Sequence, residues 1–150
     1  YKPHKNSNTT ILGPIQWLWL EKELSREHDI LILASSIQVL ATEHRFEKWS
    51  NIPHERDKLL ALLNKLSSKV LIISGDRHRS GFYKLDNIYE FTSSSLNKGI
   101  FPSYESDSLL LGKTYTQNNY GIVQFHNNSL NLFIKDEYMN ILESLEIPLK

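Results

Sequence analysis

Two short apolar runs, each entered from a segment of helical period, constrain this chain most. Ile30-Leu31-Ile32-Leu33 and Val70-Leu71-Ile72-Ile73 are short, rich in β-branched residues and read as buried strands. Ahead of the first, Pro14 suits a first helical position, and Trp17, Leu20 and Leu24 recur at helical spacing up to Ser25. Ahead of the second, a helix from about His54 to Leu66 would bury Leu59, Leu62, Leu63 and Leu66. Helix–strand–helix–strand order predicts neighbouring parallel strands with helices packed on one face. The class is therefore α/β, and 40% hydrophobic residues suffice for a core.

The second half changes character. Phe82–Leu85 and Ile88–Thr92 flank Asp86-Asn87, a two-residue hairpin signal. Tyr120–Phe125 and Leu130–Lys135 read as an antiparallel pair around His126–Ser129, with Leu130, Leu132 and Ile134 on one buried face. Residues 34–53 and 96–119 read as long loops, and such loops inside compact domains are often functional. The tail from Tyr138 fits either a helix or a last strand, and Pro148 would stop a helix. Trp17, Trp19 and Trp49 read as core or loop anchors. Residues 1–12 form a polar, irregular lead-in, and 13–150 one domain or part of one.

Composition excludes some functions. Lysine plus arginine equals aspartate plus glutamate at 17 each, which leaves no electrostatic footprint for nucleic acid or an anionic membrane. Without cysteine the chain has neither disulfides nor thiolate ligands. No apolar run approaches the length of a membrane span. Met139 is the only methionine, so Tyr1 is not expected to be a translational start, and a targeting segment could lie upstream.

Chemistry concentrates in Ser74-Gly75-Asp76-Arg77-His78, which leaves the carboxyl end of the second strand. Ligand sites of open α/β sheets lie at that edge. An aspartate and a histidine two positions apart, on a loop that Gly75 allows to turn tightly, suit hard and borderline metal ions. Asp29, Asp57, Asp86, Asp107 and Asp136 offer no further ligand: Asp29, for instance, sits at the wrong end of its strand.

Gly13-Pro14-Ile15-Gln16-Trp17-Leu18-Trp19-Leu20-Glu21, Ser35-Ser36-Ile37-Gln38-Val39, and Glu47-Lys48-Trp49 with Pro53-His54-Glu55-Arg56 follow a recognisable order. With the Asp76/His78 loop and Tyr89–Asn97, they resemble the PhoD-like (alkaline phosphatase D) metallophosphatases from about Gly13 to Phe125. The resemblance implies the C-terminal half of a calcineurin-like four-layer α/β/β/α sandwich. It implies hydrolysis of phosphate esters at a dinuclear metal centre, to which Asp76 and His78 contribute. The aspartate- and asparagine-bearing loops that supply the other ligands match nothing in this chain. An N-terminal half is therefore the expected partner, and the chain alone is expected to be inactive.

Two ions are implied, of iron and/or calcium, with manganese or zinc as alternatives. Aspartate at the first loop position favours the harder ions over zinc. Gln38, just past the first strand, is a candidate for weak coordination or a phosphate hydrogen bond. Arg79 is a candidate phosphate contact, and Asn97, with Ser93-Ser94-Ser95, a candidate rim. His54, Glu55 and Arg56 read as structural. His4, His28, His44 and His126 fit no ligand spacing. Export is favoured by the resemblance alone. The alternative reading is a non-catalytic relative serving as an assembly module.

Overall fold

In the computed structural model, which describes residues 3, 6, 8–100 and 103–149, the two apolar runs form adjacent parallel strands. Helix α1 spans Gly13–Leu24, with Pro14 in its first turn and Trp17, Leu20 and Leu24 turned inward. Chain reversal after Ser25 leads into β1, Ile30–Ser35. A 3-10 turn, Trp49–Asn51, precedes α2, Pro53–Leu63, again with proline at the start. Strand β2, Lys69–Ser74, is followed by the hairpin β3, Ser80–Leu85, and β4, Ile88–Ser93. The remaining strands are β5, Leu110–Tyr115; β6, Asn119–His126; β7, Ser129–Asp136; and β8, Ile141–Pro148.

Five strands make the main sheet in the order β1-β2-β4-β3-β5, and β1, β2 and β4 run parallel. Ser35, Ser74 and Thr92 share one register row at the carboxyl edge. Both helices cover one face, where Trp17, Leu20, Leu59 and Leu63 meet Val70, Ile72 and Ile88. The antiparallel sheet β6-β7-β8 packs on the other, with Leu130, Leu132, Ile134 and Ile147 against Leu71, Phe82 and Phe91. The layers run α/β/β, three of the four expected. Val70, Leu71 and Ile72 are buried on both faces of the sheet, which is why that run lacks alternation.

Several expectations need correction. Helix α2 stops at Leu63, and Leu60 is buried beside Leu59, while Leu62 and Leu66 only flank the core. Residues 96–119 contain β5. Of the two alternatives for the tail, the strand is realised, as β8. Trp17 and Trp49 do pack edge to face, 6.3 Å between ring centroids, but Trp19 is 56% exposed. The described residues of the lead-in carry no helix or strand, and His4 lies outside the described residues. Glu55 holds that lead-in, accepting from the Ile11 and Leu12 amides, the Thr10 hydroxyl and the Trp17 indole.

Candidate functional site

The loop after β2 alternates. Asp76 is exposed and His78 half-buried, while Arg77 and Arg79 between and after them are buried. The alternation has a backbone cause: Asp76 and His78 have φ of 63° and 50°, left-handed values that every non-glycine residue adopts at a cost. Gly75, expected to supply the tight turn, has no positive φ; Asp76 and His78 bend the chain instead. Ser94 clips this shape, accepting from the Arg77 amide at 2.9 Å and donating to the Arg79 carbonyl at 3.1 Å.

Both arginines are committed within the protein. Arg77 pairs with Glu105 and lies 4.6 Å over the Phe46 ring; burial, opposed by Glu105, lowers its pKa. Arg79 donates to Thr114 at 3.0 Å and Ser103 at 2.9 Å, with the Glu105 carboxylate 3.6 Å away. The Nε of each has no partner among the described residues. All four loop residues border one cavity of about 600 Å³, together with Phe46 and Tyr104. No described residue hydrogen-bonds the Asp76 carboxylate or the His78 imidazole. A carboxylate and an imidazole open to one cavity fit a metal ion by donor chemistry. Among the described residues no group of three or more such donors converges, so the set is partial.

Gln38 is fully buried beneath this loop and does not border the cavity. Its amide donates to Thr92 at 2.8 Å, and Thr92 meets the Ser74 hydroxyl at 2.9 Å. Asn97 is exposed in the segment after β4, beside Lys98, which does border the cavity.

Other residues gain importance that sequence reasoning did not assign. Glu90 is fully buried and accepts from the Val39 and Leu40 amides at 2.9 and 2.6 Å. Burial raises its pKa, against the hydrogen bonds from Ser74, Leu40 and Val39 and the charge of Arg56. Arg56 also donates to the Val39 and Leu40 carbonyls, so carboxylate and guanidinium grip the same two residues. His44 is buried; that burial, with Arg77 and Lys48 nearby, lowers its pKa to about 3. A signal for Glu90 existed in the sequence, a lone carboxylate inside the apolar strand Ile88–Phe91. None existed for His44.

The PhoD-like phosphatase family matches residues 1–141. The chain belongs to that family. Among solved structures it resembles GAP50, described as the anchor in the inner membrane complex of Plasmodium, with a TM-score of 0.74 and 17% identity over 91% of this chain and 42% of GAP50. It also resembles PhoD, with a TM-score of 0.59 and 16% identity over 96% of this chain and 38% of PhoD. At such identities the likeness establishes the fold. The chain spans less than half the length of either structure. No curated protein gives a significant match.

Proposed function

We propose that this chain is the part of a PhoD-like phosphatase domain that presents Asp76 and His78 to a metal-dependent centre hydrolysing phosphate esters. One observation carries the reading. The loop holds two metal-type side chains free in left-handed backbone, with both flanking arginines buried, and strain of this kind persists where surrounding structure enforces it for function. The family's metal dependence supports the same reading. When bound, a pair of ions neutralises charge on the phosphoryl oxygens and draws the pKa of a water toward about 7.

The chain's own residues hold that loop and shape its field. Ser94 fixes the turn, and Gln38 stabilises Thr92 and Ser74 under it. Arg45, Arg77, Arg79 and Lys98 outweigh the Glu105 and Asp76 carboxylates around the cavity, and that net positive charge favours a phosphate anion there. Arg79 and Gln38 thus act behind the phosphate, and Asn97 at its rim. Aspartate in this loop favours iron, calcium or manganese over zinc.

The remaining ligands come from an N-terminal half of the domain. Strand β1 ends the main sheet and pairs only with β2 among the described residues, leaving an open edge with Ile32 41% exposed. Apolar grooves flank that edge: Trp19, Leu20 and Ile32 border one, and Ile73, Phe91 and Val123 the other. A strand added there would be buried on both faces.

His78→Ala in the metal-loaded enzyme tests the assignment. Elemental analysis should show less bound metal, and activity should fall at least about 100-fold, with the circular dichroism spectrum unchanged. A folded variant with wild-type metal content would remove His78 from the ligands. Absence of ester hydrolysis by the metal-loaded wild-type protein would instead favour the reading as a non-catalytic assembly module.

A further inference from the structure

The segment between β1 and α2 buries an unusual amount of polar machinery around one exposed ring. The Phe46 amide donates to His44 Nδ1 at 3.2 Å, and the Phe46 carbonyl accepts from Lys48 Nζ at 3.4 Å and Asn51 Nδ2 at 3.3 Å. Lys48 also donates to the His44 carbonyl and to Asn51 Oδ1 at 3.2 Å. His44, Lys48 and Asn51 are all buried, and the His44 Nε2 has no partner among the described residues. Burying such groups is expensive, and what they secure is the position of residue 46.

The ring so secured is not part of the core. Phe46 is 52% exposed, whereas Phe82 and Phe91 are buried in the sheet interface. Guanidinium groups of Arg77 and Arg45 lie 4.6 and 5.3 Å from its centroid, which orients it further. It borders the same cavity as Asp76 and His78, as does Tyr104, 90% exposed. A rigid half-exposed ring beside an anion-favouring loop is a surface for a planar, apolar group attached to a phosphate.

We infer that Phe46 is a specificity residue: it stacks the leaving group of the ester and selects phosphates whose leaving group carries an aromatic ring, whether aryl or nucleoside, over those of small alkyl alcohols. This inference rests on the phosphatase reading of the Asp76/His78 loop. The buried His44, Lys48 and Asn51 then act as positioning residues for the ring.

Binding of non-hydrolysable phosphonates separates the two readings, because it requires no turnover. By isothermal titration, the metal-loaded wild-type protein should bind phenylphosphonate about tenfold more tightly than methylphosphonate, the range of one aromatic contact. Phe46→Ala should bring that ratio close to one, and Phe46→Leu, which keeps bulk without a ring, should fall between. In turnover, phenyl phosphate and adenosine monophosphate should both lose preference over methyl phosphate in Phe46→Ala, and loss with only one of them assigns the leaving group to that class. Equal wild-type binding of the two phosphonates, or a Phe46→Ala protein with the wild-type ratio, overturns the inference. Selective phosphonate binding without hydrolysis of any ester would instead overturn the phosphatase reading and the leaving-group role with it, leaving Phe46 only as a contact for a ring-bearing phosphate ligand.

Discussion

The two faces of the five-stranded sheet are built on different terms. Toward the second sheet, Leu71, Phe82 and Phe91 meet Leu130, Leu132, Ile134 and Ile147, and the Tyr115 hydroxyl in that cluster reaches Glu143 at 3.0 Å. Toward the helices, the same strands carry Glu90, Thr92 and Ser74 among Val70, Ile72 and Ile88, linked through Gln38 to the segment after β1. Polar groups are buried only at a cost, and a hydrophobic face would have stabilised the sheet more simply. The helix-side network instead determines where the segments leaving β1 and β2 lie. One face supplies stability and the other supplies position.

Removing a side chain from the apolar face should have the largest thermodynamic effect and the least chemical one. Leu132→Ala is expected to cost about 2–5 kcal/mol in denaturant unfolding, with activity per folded molecule of the metal-loaded enzyme unchanged. A folded Leu132→Ala protein with lost activity would break the division between the faces. On the polar face, Glu90→Ala leaves the Val39 and Leu40 amides without their acceptor, which should cost about 1–3 kcal/mol. Here activity should fall further than the unfolded fraction explains, because the segment carrying Gln38 is released. Retention of full activity in the folded fraction would show that the network is merely structural.

A further effect is a pH dependence. His44 is neutral in the folded protein down to about pH 3, since burial and the charges of Arg77 and Lys48 disfavour its cation. Unfolded, it takes up a proton below about pH 6.5. Between those values the unfolded chain binds the extra proton, so this residue makes stability decline as pH falls through the window. His44→Gln should flatten the decline in urea midpoint between pH 7 and pH 4. Parallel slopes for both proteins would mean that the imidazole is protonated when folded.

Much of this architecture was readable because periodicity and burial coincide. The runs at 30–33 and 70–73, the Pro14 helix start, the helix from about His54 and the Asp86-Asn87 hairpin each carry a local signal that tertiary packing does not overrule. Strand β5 was hidden because Gly112, with φ of 73°, interrupts a short apolar stretch in a serine-rich surround, and its pairing with β3 is irregular. Trp19 was misplaced although Trp17, Leu20 and Leu24 already defined the buried stripe and excluded position 19 from it. The Asp76/His78 loop could be found from residue type and its place after a strand. The cage around Phe46 could not, because it is made by burial of His44 and Lys48, which no local pattern encodes.

Asparagine and aspartate tolerate left-handed backbone better than other side-chain-bearing residues, so the turn at position 76 survives loss of its charge. On the proposed reading, Asp76→Asn would keep the shape of the loop and discard the anion that balances a cation. Folding therefore exerts little restraint on this change, so on the proposed reading a single conservative replacement would remove hydrolysis and leave the domain intact.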